Sequence, residues 1–427
     1  MTENSRTQVV IIGAGPSGMA LAHQCIVQNI DFICLDPRVH DDWPQVFGVW
    51  HDEFSQAGFG DAIFHRRWQN AAVYLDDGRK IDIARGYAWV NGPQLKRQII
   101  AQRPEAFMQR RMRSVAADAQ GYTLTLDDGA QIQAKRVIDC RGFSKHNDSA
   151  GHLPCNSYQS AFGLLAEVDA HPFDTDAVVL MDWRRPTRRD HNVPAFLFSL
   201  PVSPSLAFFE ETVLAWPSPV AMPELKERLQ QRLAAMGIAV KSIVGEERCL
   251  LPLDLATPKN AEGMIYGAAA GLVHPHTGYH FTRGFLQAPA MVSRLKKDLG
   301  KPRRAAEKSW RRTLWRPSYK ILQYLRLVNL HLMEALPTDG ISRFFEAFFA
   351  CRAWPVFMAQ YPMRLGAYMM VALKLFVFHF PWRIKLSVLA RWGRAFFTAV
   401  FAGKRRNNLK EFGDGEHDVR PAGALHE

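Results

Sequence analysis

Apolar and polar positions along this chain divide it into recognisable elements. Gln8–Gly13 is a short, nearly unbroken apolar run of the kind a buried strand requires. Met19–Gln28 reads as a helix, and Asp31–Leu35 as a second strand ending at Asp36. A helix-like stretch, Gln94–Gln102, leads into strand-like segments at 110–116, 121–127 and 131–139, two of them joined by the turn Asp127-Asp128-Gly129. Residues 158–215 alternate and are rich in Phe and Val, which predicts a sheet, and Met222–Met236 reads as a helix. Gly263–Phe281 is a second glycine-dense passage from strand to helix. Past residue 300, turn signals thin out and helical patterns dominate.

The first glycines change this picture from architecture to chemistry. Gly13, Gly15 and Gly18 lie between the first strand and its helix, where backbone must come close to a pyrophosphate and helix must pack on strand. Asp36 follows Gly18 by 18 residues, placed for a ribose hydroxyl. A bare G-x-G-x-x-G is weak evidence; the strand–turn–helix–strand context favours a dinucleotide site over an ordinary glycine-rich turn. The small meander returning through Val137-Ile138-Asp139-Cys140-Arg141 to Gly142 is the second half of an FAD-binding domain rather than of an NAD-only one. The fold class expected is α/β, with an FAD-binding, Rossmann-like domain of the glutathione reductase/hydroxylase type. That domain takes residues 1–154 and a return segment at 259–300. A β-sheet substrate domain takes 155–258, a helical basic region 301–412, and a disordered tail 413–427.

Charge sharpens the division. The 427 residues carry a net +12, from 53 Lys and Arg against 41 Asp and Glu. Residues 281–330 hold thirteen Lys and Arg against Asp298 and Glu307, and residues 361–410 hold ten with no acid. The rest of the chain is therefore acidic. A basic C-terminal third fits nucleic acid or anionic lipid. No nucleic-acid-binding module accompanies it, so nucleic acid is set aside. Six cysteines without a CxxC pair predict neither a zinc site nor a disulfide framework, and no metal site is expected. The polar start MTENSRTQ predicts no cleaved leader, and with the cysteines a reduced, cytoplasmic setting.

Four motifs in order are more specific. They are Trp43-Pro44-Gln45-Val46-Phe47-Gly48-Val49-Trp50 before Asp52-Glu53-Phe54; Glu167-Val168-Asp169 and His171-Pro172-Phe173-Asp174 before Met181-Asp182-Trp183-Arg184; Phe208-Phe209-Glu210-Glu211-Thr212; and Gly267-Ala268-Ala269-Ala270-Gly271-Leu272-Val273-His274-Pro275 ending in Thr277-Gly278-Tyr279. Together they resemble the plant and cyanobacterial type of lycopene β-cyclase, a flavoprotein family, over about residues 8 to 350. The resemblance implies a non-redox closure of the ψ-ends of a linear carotene, with FAD kept reduced by NADPH or NADH. It implies that an acid protonates a terminal double bond, that an internal double bond attacks the cation, and that a proton is then lost. It carries the acid onto Glu210. It also implies that Gly48, Val49, Gly142, Gly267, Gly271, Thr277 and Gly278 lie along the cofactor, and it makes Glu211 and His274 further candidates for the catalytic site.

The residues bear on that chemistry independently. Protonating an alkene needs a carboxylic acid held neutral near pH 7, which apolar surroundings favour. Phe208-Phe209 before Glu210 and Val213-Leu214 after Thr212 provide them. On a strand, Glu210 shares a face with Phe208 and Thr212 while Glu211 points the other way, as structural support or an orienting partner. The competing reading is an exposed strand end. His274 competes with the plainer role of a packed, hydrogen-bonded histidine. Five positions depart from the family: His276 where a small residue is usual, Arg185 where plant enzymes have an acid, Gln45 and Val46 for two asparagines, and Gly92 where an arginine is expected.

Leu365–Pro381 is apolar apart from Lys374 and His379, too short and interrupted to span a bilayer. In Arg383–Ala402, Val388, Leu389, Trp392, Phe396 and Val400 fall on one helical arc, with Arg383, Ser387, Arg391, Arg394 and Thr398 opposite. A basic amphipathic helix of this kind suits a membrane surface, and a peripheral enzyme there could draw a hydrophobic polyene from the bilayer. The alternative is a helix packed on the protein body. Three rival readings stay open: an FAD- and NADPH-dependent monooxygenase on an apolar substrate, a related cyclase acting on another polyprenyl chain, and a non-enzymatic, flavin-dependent membrane-docking or carotenoid-carrier protein.

Overall fold

The computed structural model describes residues 4–142, 155–184, 193–255 and 263–401, apart from 335, 337, 353 and 363. Arg185 and the tail at 413–427 lie outside the described residues.

Strand Asn4–Ile12 is central to the first sheet, and its core residues Val9, Val10 and Ile11 are fully buried. It pairs in parallel with Phe32–Leu35 on one side and Gln131–Asp139 on the other. Tyr122–Leu126 and Met112–Ala117 continue the sheet antiparallel, and Phe107–Met108 closes the opposite edge. The return segment arrives as Met264–Ile265, parallel to Gln131–Asp139. Helix Pro16–Val27 packs against helix Phe281–Asp298, where Gly284 lies against Ser17. Arg136, buried in the sheet, donates to the carbonyls of Asp298 and Lys301 and so anchors the C-terminal end of Phe281–Asp298.

The second sheet has seven strands in the order Val240–Pro252, Tyr158–Val168, Leu206–Val213, Ala195–Ser203, Ala177–Asp182, Asn70–Tyr74 and Lys80–Ile83. The last two come from residues that the sequence reading assigns to the flavin domain. Asn70–Tyr74 crosses over to pair in parallel with Ala177–Asp182. One face of this sheet is covered by helix Met222–Ala235, whose Leu225, Leu229 and Leu233 meet Phe162, Leu164 and Phe209. The opposite face looks toward the flavin domain. A small third sheet of Phe47–Trp50, Tyr87–Val90 and Phe64–Trp68 stands between them.

The helical region comprises Arg303–Leu314, Pro317–Glu334, Thr338–Ala350, Trp354–Met358, Leu365–Lys374 with a π-helical turn at Leu375–His379, and Trp382–Phe401. It is packed on the body through aromatic residues: Trp354 lies 5.3 Å from Trp50, and Phe345 stacks on Trp183 at 5.4 Å.

Candidate functional site

Strand alternation decides where the two adjacent glutamates go. Leu206–Val213 pairs with Tyr158–Val168 so that Glu210 stands opposite Gly163, and Glu211 opposite Phe162. Glu211 therefore turns under helix Met222–Ala235, where the Arg232 guanidinium donates to both its oxygens at 2.6 and 2.9 Å. This is a buried, bidentate ion pair that holds the helix on the sheet, away from the face bearing Glu210. Glu210 lies on the flavin-facing side between Phe208 and Thr212, deep in the protein yet with some surface left accessible. The Thr212 hydroxyl donates to its Oε1 at 2.6 Å. Burial pushes the Glu210 carboxyl up to about 7, and the Thr212 bond only partly opposes this. An acid so tuned is available as a proton donor near neutral pH.

Two phenols close in on this face. The hydroxyls of Tyr87 and Tyr279 share a hydrogen bond at 2.6 Å, joining the third sheet to the return segment. Burial pushes Tyr87 far above its usual range and Tyr279 up to about 12, with each other and Glu210 among the neighbours that act on them. Gly48 makes room for Tyr87, whose ring would collide with any side chain there. Phe198, directly across from Glu210, lies 6.3 Å from Tyr87. On the adjoining edge, the Val46 amide donates to Glu247 Oε2 at 3.3 Å. Residues 43–50, the Tyr87 strand and the return segment thus wall one sheet face.

The return segment is bent to reach that face. Gly278, at φ +70°, rests on Gln159 and Leu251, and a side chain there would strike the Gln159 amide. The Thr277 and Gly278 backbone N–H groups donate hydrogen bonds to the His274 carbonyl and tighten the turn. His274 itself is 1% exposed, with its ring packed against His276, and burial with Arg326, His276 and Arg283 nearby holds it well below its usual range. It is thus a neutral hydrogen-bonding group. His276 stacks on Phe357 at 5.2 Å and bonds the Arg326 carbonyl at 2.8 Å, which accounts for a bulky group at this departure from the family.

The first glycines fit an FAD. A side chain on Gly13 would come within 2.9 Å of the Cys140 backbone, and one on Gly18 would collide with the Gly13 carbonyl, so the turn can only be this tight with glycine. Gly15 has open space beside it and begins a helix whose N-terminus no side chain caps, which suits a pyrophosphate. Asp36 accepts from the Ala14 amide at 2.8 Å and from the Arg38 amide at 2.7 Å, setting the turn where a ribose would lie. Trp43 donates to the Ala14 carbonyl at 3.0 Å, tying the 43–50 segment to this turn. Gly92 faces Trp43 and Phe47 closely, with 3.1 Å to Trp43 from a Cβ placed there, so these rings occupy the room an arginine would need. Gly142 continues Cys140-Arg141 beside Gly13, Val49 is buried in the third sheet, and Gly267 and Gly271 bracket a short 3₁₀ turn, Gly267 directly against Ser17.

Gly48 and Gly278 thus lie in the elements that close on the sheet face bearing Glu210, while Gly13, Gly15, Gly18 and Asp36 form the tight turn after the first strand. Glu211 lies across the sheet. Sequence reading passed over Tyr87 and Glu247. Tyr87 pairs with Trp50 and Trp68 nearby but meets its site partner Tyr279 only in the fold. Glu247 pairs with Gly163 more than 80 residues away, its strand parity relative to Glu246 being the local signal.

A family model described as lycopene cyclase protein matches residues 8–379. The chain is 34% identical over 369 residues to the chloroplastic lycopene beta cyclase of Arabidopsis thaliana, covering 81% of this chain and 73% of that protein. It is 30% identical over 395 residues to the capsanthin/capsorubin synthase of Capsicum annuum, covering 88% and 78%. A geranylgeranyl bacteriochlorophyll reductase-like protein from Thermoplasma acidophilum superposes with a TM-score of 0.66 at 13% identity, over 91% of this chain and 99% of that one. A probable FAD-dependent monooxygenase from Pseudomonas aeruginosa does so with a TM-score of 0.57 at 14% identity, over 79% and 99%. The two solved structures show that the chain shares the fold of a probable FAD-dependent monooxygenase, and its own C-terminal region is helical.

Proposed function

The chain belongs to the lycopene cyclase family, and from that premise we propose that it closes the ψ-ends of lycopene, to β-carotene by way of γ-carotene, with Glu210 as the acid. It is a lycopene cyclase-like flavoprotein, an enzyme of the intramolecular lyase or isomerase kind. The observation that carries the assignment of the acid is a buried carboxyl, tuned to about 7, on the sheet face that the return segment approaches.

A bound reduced flavin would supply an electron-rich ring beside a developing cation, with NADPH or NADH as its reductant. Gly13, Gly15, Gly18 and Asp36 would hold its adenosine diphosphate, and Gly48, Val49, Thr277 and Gly278 would lie at its ring end. The remaining work is done by side chains. Glu210 gives its proton to the terminal alkene, and Thr212 orients the carboxyl through its 2.6 Å hydrogen bond. Phe198 and Phe208 offer ring faces to a carbocation, and the buried phenols keep water from quenching it.

A carotene is insoluble in water, so the enzyme must meet a membrane. Among the described residues no helix is long and apolar enough to cross one. Met370, Leu373, Phe378, Trp382, Leu389 and Trp392 are all more than half exposed, in a stretch rich in Lys and Arg. This supports peripheral docking through the C-terminal helices. The six free cysteines fit a reducing, cytoplasmic compartment.

Expression in cells that accumulate lycopene tests the reading. Wild type should convert lycopene into products of unchanged mass, and Glu210→Gln should lose at least about a hundredfold in rate. Unconverted lycopene with wild type would refute the substrate, and products one oxygen heavier would favour the monooxygenase.

A further inference from the structure

Glu247 is a buried carboxyl to which the reaction above gives no task. Its neighbours in the sheet place it in line with Glu210: Glu247 stands opposite Gly163 on one side, and Gly163 opposite Glu210 on the other. Residues in line across adjacent strands project to the same face. The backbones of the two glutamates are two strand spacings apart, about 10 Å, and the residue between them is a glycine. Phe208 lies over that glycine, its Cε2 2.7 Å from where a Cβ would be. The sheet face therefore reads carboxyl, aromatic ring, carboxyl.

What holds Glu247 sets it apart. The other buried glutamates each meet an arginine: Glu53 with Arg85, Glu211 with Arg232, Glu307 with Arg303. Glu247, 6% exposed, accepts one long hydrogen bond from the Val46 amide. A structural carboxyl in such a place would be costly to retain. Burial and the nearby Glu210 push it well above the usual carboxylate range, so the pair resists carrying two charges and holds one proton between its two carboxyls. The reaction starts from the arrangement in which Glu210 carries that proton and Glu247 is ionised.

We propose that Glu247 is the base of the cyclisation, taking up the proton that the ring-closing cation loses while the cation rests over Phe208. The proposal builds on the cyclase reading. The Glu210 O–H bond breaks as the terminal alkene carbon gains its hydrogen. The electron pair of the internal double bond forms the ring C–C bond. A ring C–H bond then breaks, its pair becoming the new ring double bond and its proton passing to the Glu247 carboxylate. No electron leaves the carbon skeleton, and the two carboxyls end with the one proton they began with, on the other partner. Transfer of that proton back to Glu210 resets the site.

The other titratable groups around the pair are Cys249 on the same strand and Tyr87 and Tyr279 opposite. Burial raises all three, so they remain neutral in the working range. Behind Tyr279, Glu53 is committed to Arg85. The carboxyl pair therefore sets the pH dependence: the rate falls at low pH, when both are protonated, and at high pH, when neither is.

The test uses purified, flavin-loaded enzyme with lycopene in phosphatidylglycerol-containing vesicles and NADPH. Glu247→Gln should lower kcat by about 10²- to 10⁴-fold, leave flavin content unchanged, and abolish the low-pH limb while keeping the high-pH one. Glu247→Asp, which keeps a carboxyl but draws it back, should retain both limbs at reduced kcat. It also decides the matter should the Gln variant fail to hold flavin. Wild-type kcat and an intact low-pH limb in Glu247→Gln, or wild-type kcat in Glu247→Asp, would overturn the proposal. With Glu210→Gln inactive, such a result removes only the base; an active Glu210→Gln removes the reading beneath it.

Discussion

Glu210 trades stability for reactivity. Its carboxyl titrates at about 7 in the fold against an ordinary 4.5, so the fold disfavours its ionised form. A group raised in this way contributes its full stability below the unfolded pKa and loses it as pH climbs through the folded one. The difference corresponds to about 3 kcal/mol. Glu210→Gln should therefore match wild type in denaturant unfolding near pH 4, below the unfolded pKa, and exceed it by up to about 3 kcal/mol near pH 9. A gap that does not change with pH would count against the raised pKa. How much of this was legible beforehand depended on locality. The split of Glu210 from Glu211 follows from strand alternation within five residues, so it could be read from the sequence. Glu247 sits in Glu246-Glu247-Arg248, which looks like a solvated stretch, and only its pairing with Gly163, over 80 residues earlier, puts it inside.

Among elements, helix Met222–Ala235 and the sheet beneath it are joined by the buried Glu211–Arg232 pair beside an apolar cluster, with Lys226 and Glu246 pairing at the more exposed edge. Removing one partner leaves the other buried and unpaired. Arg232→Leu should cost about 3–5 kcal/mol, and adding Glu211→Leu should restore most of it. Thermal and chemical unfolding of the single and double variants would measure this, and additive losses would show that the pair is not coupled. The elements themselves were largely predictable: the helix expected at Met222–Met236 runs Met222–Ala235, and the strand expected at 131–139 is Gln131–Asp139. Their partners were not. Nothing local in Asn70–Tyr74 announces that it leaves the flavin domain to pair with Ala177–Asp182, because that choice is made by a surface built a hundred residues later.

For the whole molecule, the helix Trp382–Phe401 resolves a choice left open by its pattern. Ile384 and Val388 pack inward, Val388 against a cluster containing Leu327 and Leu330, while Leu389, Trp392 and Phe396 remain exposed. The apolar arc thus only partly packs on the body. Tyr368 and Leu375 are buried, so truncating the region would damage the core and confuse the result. Exchanging Phe378, Trp382, Leu389, Trp392 and Phe396 for serine should instead weaken vesicle binding at least about a hundredfold, with flavin content retained. Sedimentation with anionic vesicles would show it, and unaltered binding would exclude these residues from the docking surface.

The alternation that sends Glu210 to one face and Glu211 to the other has a consequence for turnover. A linear carotene has two identical reactive ends, and with Glu211 turned to the other face a single acid, Glu210, serves them one at a time. The molecule must therefore be withdrawn and presented again, reversed, for a second ring to form. Whether the half-finished product swivels within the protein or escapes into the lipid first becomes a race between reorientation and departure. The balance of one-ringed and two-ringed products then records how long the enzyme keeps hold of its substrate.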